Sequence, residues 1–389
     1  MTGGGSGGHI TPILAVAHEL KQRDPAIEII YIGQKGDHLS DIPAQDPSID
    51  SVYSVSAGKL RRYADEGWGQ WLNVRVQYLN VRDMFRVLAG LWQSYRLLRK
   101  LQPDVIFTRG GFVSVPVALG GHLNHIPYIT HDSDSTPSLA NRLIARWAAL
   151  HAVALPKELY PYPSSKTEVV GVPVAADFVP VDTALRRRYR KELNVPADAP
   201  VLMLTGGGNG ALALNKALVA NAKYLLGTFP ELVLLHIAGR AHLAETNHDY
   251  DALELPASAR TRVRVEGFVT DLYRYSGAAD VVIARGGATT LAGLEAQGAA
   301  CLIVPAQMLG WDVKNAQALS DRDAIVSLNN DQIEQPERLG RTVGELLQDP
   351  DRRAKLGAAL AAFARPHATT DLAKLILNIG GEGHVRAKK

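Results

Sequence analysis

Two glycine-rich stretches carry the strongest chemical signal in this chain. Gly3-Gly4-Gly5-Ser6-Gly7-Gly8 fits G-x-G-x-x-G at Gly3, Gly5 and Gly8, and Gly206-Gly207-Gly208-Asn209-Gly210-Ala211 fits the same pattern with alanine last. Between a strand and a helix, such glycines let the backbone turn tightly and aim bare N–H groups at an anion on the helix N-terminus. The pattern alone is also a dinucleotide fingerprint, which makes an NAD(P) oxidoreductase the first rival. That site wants a carboxylate for the ribose at the end of the next strand. The chain offers Ile32-Gly33-Gln34 and Ala238-Gly239-Arg240 there, with no acid, although Arg240 leaves NADP formally open. A tight turn holding no ligand is the plain alternative for either loop taken singly.

His9 closes the first loop at the start of a helical pattern over 10–20. Its imidazole titrates near working pH, so it can orient or deprotonate an acceptor hydroxyl; the alternative is a polar helix cap. His131-Asp132-Ser133-Asp134-Ser135-Thr136-Pro137 follows an apolar run, where polar residues line the functional edge of a parallel sheet. The same residues also suit a helix cap ahead of 138–147, and both readings stay open. In the second half, Arg285-Gly286-Gly287-Ala288-Thr289-Thr290 opens a helix over 291–297, and Asp312 and Asn315 follow the apolar run 300–304. N–H groups at the first can take a diphosphate, and the two polar side chains can bind sugar hydroxyls; ordinary loop chemistry is the alternative. No spacing matches a strong metal-ligand motif, so no metal is expected.

These residues need sheets to position them. Candidate strands fall at 27–32, 51–56, 104–108, 127–131 and 151–155, then at 201–205, 232–237, 262–265, 280–284 and 300–304, alternating with helical patterns. That alternation predicts an α/β fold of parallel sheets covered on both faces. The halves echo each other: each opens with a glycine loop and each later has a strand ending in Arg-Gly-Gly, at Arg109 and at Arg285. Two Rossmann-like domains facing across a cleft are expected, with 1–172 first, 173–368 second, and a C-terminal helix and basic tail over 369–389 that returns to the first. The proline-bearing stretch 171–200, with a charged helix over 185–193, reads as the connection. Only Met1 and Thr2 precede the first loop, so its usual strand is either a stub or missing from this sequence.

With 42 Lys and Arg against 39 Asp and Glu, the net charge of +3 gives no argument for nucleic acid. Residues 59–100 hold nine basic and three acidic residues, a local +6 on a body of −3, which suggests one anionic partner at one place. Apolar residues recur there at near-helical spacing (Leu72, Val76, Leu79, Phe85, Leu88, Trp92, Tyr95, Leu98), together with Trp68 and Trp71. For 59–75, with Arg61 and Arg62, a helix in an anionic membrane interface is favoured; for 88–98, packing on the chain's own sheet. No apolar stretch is long enough for a membrane span. The single Cys301 sits in an apolar run and forms no disulfide within the chain, as suits a cytoplasmic protein.

Taken in order, these segments resemble the MurG family of transferases. Gly4-Gly5-Ser6-Gly7-Gly8-His9 with Pro12, Gly110-Gly111-Phe112-Val113-Ser114-Val115-Pro116 and Gly206-Gly207-Gly208-Asn209-Gly210-Ala211 are similar to that family's three glycine loops. Gly171-Val172-Pro173-Val174, Glu266-Gly267-Phe268-Val269, Arg285-Gly286-Gly287-Ala288 and Lys314-Asn315-Ala316 fall in family order, over about residues 3–345. The resemblance implies two Rossmann-like domains of the GT-B type and an inverting, cofactor-free transfer of GlcNAc. The donor would be UDP-GlcNAc and the acceptor lipid I (undecaprenyl-pyrophosphoryl-MurNAc-pentapeptide), at the cytoplasmic face of the membrane. It implies Ser6, Gly7, Gly8 and His9 at the reaction centre, with Asp134 where the family usually has asparagine. It implies Val269 at the uracil, Gly208, Asn209, Ala288, Thr289 and Thr290 at the diphosphate, and Asp312 and Asn315 at GlcNAc. The chain departs from the family at Ala175 (usually arginine), Gly208 (serine), Gly293 (an acid for the ribose) and Asp312 (glutamine).

Overall fold

Among the described residues the chain forms twelve strands, all paired in parallel. The computed structural model describes residues 1–4, 7–37, 39–59, 74–134, 136–335 and 337–387. The chain divides into two units, Met1–Ala175 with His367–Lys389, and Ala176–Pro366.

In the first unit β1 (Ile30–Gln34) pairs with β2 (Ser51–Val55), while β3 (Ile106–Thr108), β4 (Tyr128–Asp132), β5 (Leu150–Val153) and β6 (Thr167–Val169) pair in chain order. Met1 and Thr2 occupy the place of the usual first strand. Thr2 bridges Ile32 on one side and Thr108 on the other. Its N–H donates to the Phe107 carbonyl (2.9 Å), and the Ile32 N–H donates to the Met1 carbonyl (2.9 Å). Two residues suffice to join β1 to β3 because a parallel ladder needs only alternate N–H and C=O groups from the strand between. Helix α1 (Gly7–Arg23) then buries Ile13, Val16 and Leu20 against Ile29, Tyr31, Phe107 and Ile129.

Helix α2 (Val74–Leu101) is a single 28-residue helix that packs on its own unit as expected for 88–98, with Leu98 buried among Ile32, Val55 and Ile106, but not through Leu88 and Trp92. Its inward face carries small residues. Gly90 lies so close to the Ser56 carbonyl and Pro116 that a side chain there would collide, and Ser94 packs under Gly120 of α3 (Ser114–Leu123). Close approach through Gly90, Ser94 and Leu98 leaves the large side chains outside: Leu88 is 55% and Trp92 60% exposed. The segment 60–73, with Arg61, Arg62, Trp68 and Trp71, lies outside the described residues.

In the second unit the sheet order is β12-β11-β10-β7-β8-β9, with β7 (Val201–Thr205), β8 (Val233–Ile237), β9 (Val263–Glu266), β10 (Val281–Ala284), β11 (Cys301–Ile303) and β12 (Val326–Ser327). β7, β8, β10 and β11 are buried along their whole length, as strands covered on both faces must be. Helix α4 (Thr183–Glu192) is built into this unit rather than into a free connection. Its Arg190 is buried, donating to the Asp280 carboxylate (2.8 Å), the Ala278 carbonyl (3.0 Å) and the Ala197 carbonyl (2.6 Å). The sequence lacked a signal for this because Ala278 and Asp280 lie about ninety residues away. The last helix in the chain returns to the first unit: Leu372, Ala373 and Ile376 of Ala368–Ala387 are buried in the α1 core.

Candidate active site

In the first unit, chemistry gathers where β3 and β4 end beneath the start of α1. Gly110 and Gly111 both take φ of +84°, which a side chain would strain, and Gly111 lies against the Gly4 carbonyl. The Tyr31 hydroxyl donates to the Gly3 carbonyl (2.5 Å). Gly7, Gly8 and His9 form the first turn of α1, so their N–H groups lie at the positive end of the helix. Gly5 and Ser6 lie outside the described residues.

His9 is half-buried, and its Nδ1 lies 3.1 Å from the Arg109 carbonyl oxygen. A carbonyl only accepts, so the proton is on Nδ1 and Nε2 keeps a lone pair. Burial, and then the Arg109 charge, push the His9 pKa down to about 4. The imidazole is therefore neutral at physiological pH and can accept a proton.

The stretch after β4 includes a helix cap, and its other side chains turn toward Arg109. Asp132 is a structural acid: its Oδ1 accepts from the Ser138 N–H (3.0 Å) and its Oδ2 from the Tyr162 hydroxyl (2.7 Å), and burial pushes its pKa up. Ser138 caps the next helix through the Asn141 N–H (3.1 Å). His131 and Ser133 turn the other way, onto Arg109. Asp134 and Asp132 both raise the pKa of Arg109, which burial lowers to about 10. Ser135 lies outside the described residues. Arg109 was legible only as half of a repeated Arg-Gly-Gly; no spacing rule marks a buried arginine as a partner of a histidine 100 residues earlier.

The second unit presents its own edge. After β7, Gly207 (φ +80°) and Gly210 (φ +75°) turn the chain into α5 (Leu212–Thr228). Gly210 rests on the Ala238 carbonyl so closely that no side chain fits. A buried relay holds that approach: Asn215 donates to the Ala238 carbonyl (2.8 Å), His236 Nε2 donates to Asn215 Oδ1 (3.1 Å), and the Tyr250 hydroxyl donates to His236 Nδ1 (3.0 Å). Gly208 is half-buried and Asn209 exposed at the loop's crest, and Val269 is half-buried beyond β9. Ala288, Thr289 and Thr290 are the first turn of α6 (Ala288–Gln297), giving a second set of helix N-terminal N–H groups.

Asp312 and Asn315 lie on α7 (Gly310–Ser320). Asp312 is 3% exposed, and its Oδ2 accepts from the Ala306 N–H (2.7 Å) and the Gly286 N–H (3.3 Å). Asn315 donates to the Gly286 carbonyl (3.0 Å). Both side chains thus hold the turn that leads into α6. Gly293, inside α6, faces the Phe178 ring, which stands 2.7 Å from where a Cβ would be. Among the described residues no three His, Cys, Asp or Glu side chains converge to hold a metal ion.

Comparison with known proteins follows the same division. Residues 1–153 match the glycosyltransferase family 28 N-terminal domain, and residues 201–372 match the glycosyltransferase family 28 C-terminal domain. The UDP-N-acetylglucosamine–N-acetylmuramyl-(pentapeptide) pyrophosphoryl-undecaprenol N-acetylglucosamine transferase of Geobacillus kaustophilus is 32% identical over 360 residues, 91% of this chain and 92% of its own. The enzyme of the same name from Natranaerobius thermophilus is 29% identical over 386 residues, 97% and 98% of the two chains. Among solved structures, Acinetobacter baumannii MurG superposes with a TM-score of 0.68 at 23% identity, covering 97% of this chain and 98% of that one.

Proposed function

Since the chain belongs to glycosyltransferase family 28, within its MurG group, we propose that it moves N-acetylglucosamine from UDP-GlcNAc to lipid I. The product is lipid II, for peptidoglycan synthesis. The observation that carries the chemistry is His9, a neutral imidazole with its proton fixed on Nδ1 and its Nε2 unprotonated, in the first turn of a helix. The acceptor sugar hydroxyl attacks C1 of GlcNAc from the face opposite UDP, which inverts that carbon. The new C1–O bond forms as the bond to the β-phosphate oxygen breaks. The hydroxyl proton passes to His9 Nε2, and the charge left on UDP falls to the N–H groups of Ala288–Thr290 and of the loop at Gly208 and Asn209. Val269 meets the uracil through its backbone, and Asp134, charged and close enough to act on Arg109, borders the acceptor. Asp312 and Asn315 act on GlcNAc through the turn they hold.

The membrane is the acceptor's source, and α2 suits it. Tyr78, Val81, Phe85, Leu88 and Trp92 follow one another at three- and four-residue steps, all exposed, which places them on one stripe. Arg82, Arg86, Arg96 and Arg99 accompany them, with the Arg96 guanidinium 4.8 Å from the Trp92 ring centre. An apolar stripe edged by arginines is the pattern of a helix lying in an anionic lipid interface. No helix among the described residues is long and apolar enough to cross a membrane. We place the enzyme peripherally, on the cytoplasmic face.

A second reading, the same chemistry with another nucleotide sugar or lipid, is favoured by Gly293. Phe178 fills the space where the family resemblance puts a ribose-binding acid. One experiment separates the two: labelled UDP-GlcNAc, UDP-glucose and a deoxythymidine-diphosphate sugar, each offered with a lipid I analogue and with diacylglycerol. Label from UDP-GlcNAc on the lipid I analogue alone is expected. Transfer confined to another pair would replace that assignment, and binding without transfer to either acceptor would remove the enzymatic one.

A further inference from the structure

The transfer chemistry leaves the buried guanidinium of Arg109 without a role, yet it stands where three segments meet. Its Nη2 donates to the Gly8 carbonyl (3.0 Å), and its Nη1 donates to His131 Nδ1 and to the Ser133 hydroxyl. Because His131 Nδ1 accepts, its proton is on Nε2, which donates to the Gly171 carbonyl (2.8 Å). The main chain of Arg109 completes the set by accepting the His9 Nδ1 proton (3.1 Å). One residue thus grips the peptide before His9 with its side chain and the His9 ring with its backbone.

We propose that Arg109 is the positioning residue for His9, fixing the imidazole's tautomer and direction so that Nε2 alone receives the acceptor's proton.

Burial supports this assignment. Arg109 is 5% exposed, and a cation out of water is costly unless directed bonds offset it. An apolar residue would finish β3 with no such cost, so what the charge supplies is the set of bonds themselves. A planar fork can hold the Gly8 carbonyl and His131 at once in fixed directions; a single ammonium cannot. The charged groups around His9 agree. From β3 it faces Arg109, whose charge lowers its pKa after burial has done so. From the end of β4, Asp132 and Asp134 act on the arginine. From the loop after β1, Asp37 lies beside Gly4. The arginine keeps the ring neutral as well as placed.

Only the kinetic arm of the test rests on the transferase reading. Long-range nitrogen–proton correlation spectra of histidine-labelled protein, with the His9 signals identified by their loss in His9→Gln, read the tautomer without substrate. Wild type should show His9 protonated on Nδ1 and His131 on Nε2. Arg109→Met removes the grip on the Gly8 carbonyl, so the His9 ring should leave the carbonyl of residue 109 and become a tautomer mixture, while His131, still bonded to the Gly171 carbonyl, keeps its proton on Nε2. In transfer assays, Arg109→Lys and Arg109→Met should each lower kcat roughly 10- to 100-fold, part of what a general base contributes, with the KM for UDP-GlcNAc changed less than about twofold. The acid limb of the pH profile should move up in Arg109→Met and stay in Arg109→Lys, which keeps the charge. A merely structural arginine would cost active protein without moving that limb. The proposal is overturned if wild-type His9 carries its proton on Nε2, or if Arg109→Met keeps the wild-type His9 tautomer. A folded Arg109→Lys with wild-type kcat also overturns it. If wild type transfers nothing while its tautomers are as expected, the transferase reading fails and the positioning stands.

Discussion

At the scale of single residues the chemistry is a matter of which atom holds a proton. His9 is neutral because burial and Arg109 hold its pKa near 4, which makes it available but weakly basic. The acceptor brings a pyrophosphate, and a nearby negative charge raises the pKa of an imidazole. His9 should therefore become more basic when lipid I binds. The acid limb of kcat/KM, which reports the free enzyme, should lie about one pH unit or more below the acid limb of kcat, which reports the complex. Rates measured from pH 4 to 8 with a soluble lipid I analogue test this; coincident limbs would mean that the pyrophosphate does not reach His9. His9→Ala should lower kcat about 10²- to 10⁴-fold. Calorimetric binding of UDP-GlcNAc should be unaffected, because the proposed donor groups are carried by the other unit.

At the scale of elements, helix α2 shows how a sequence signal divides between two faces. Gly90 and Ser94 bring the helix close to the Ser56 backbone and to α3, and this packing is satisfied without Phe85, Leu88 or Trp92. A side chain of this size that moves from water into apolar surroundings gains about 1.5–3 kcal/mol, so three inserted together give substantial membrane affinity. Replacing Phe85, Leu88 and Trp92 by serine should weaken binding to vesicles containing anionic lipid by at least about 100-fold. The melting temperature should change little, since surface substitutions usually stay within about 0.5 kcal/mol each. Vesicle co-sedimentation with thermal denaturation checks both. Undiminished binding by the triple variant would locate the lipid contact elsewhere.

At the scale of the molecule, the two units differ in how they meet acid. His131, His151 and His236 are almost fully buried, and burial lowers the pKa of each, to about 4 for His151 and about 3 for His236. An unfolded chain takes up protons at these sites below about pH 6.5, where the folded protein does not, so stability falls as pH drops through that point and continues to fall toward the folded values. Each fully buried imidazole contributes roughly 1.4 kcal/mol per pH unit over that range. The first unit holds two of them, and His9 besides; the second holds His236 alone. Glu295, in the second unit, has the opposite sign: burial raises its pKa to about 7, so the folded state binds its proton first and gains stability as pH falls from 7 toward the unfolded carboxylate range. The first unit should therefore open before the second on acidification. Hydrogen exchange at pH 7 and pH 5, read by mass spectrometry, should show protection lost first across β3–β5. Equal loss in β7 and β8 would contradict this.

Glycine loops, apolar runs and the order of family motifs are local features. They determined the α/β class, the two halves and the family, because each depends on residues within a few positions of one another. Ten of the twelve strands among the described residues follow from such runs, with ends shifted by a residue or a few; β6, Thr-Glu-Val with two residues exposed, lies in no apolar run, and β12 is only two residues long. His9 was legible for the same reason, as the residue at a loop-to-helix junction. The tertiary structure alone decided which groups face one another. Arg109 reaches His131 and the Gly8 carbonyl across one sheet edge, Arg190 meets Asp280, Asp312 turns its carboxylate onto the Gly286 N–H, and the last helix closes the first unit's core. These contacts join residues far apart in the chain, and the parallel sheets bring like ends of distant strands to one edge, the carboxyl ends at Arg109 and the amino ends at Asp280. Sequence spacing fixes what a loop can do; only packing fixes which side chain stands behind it.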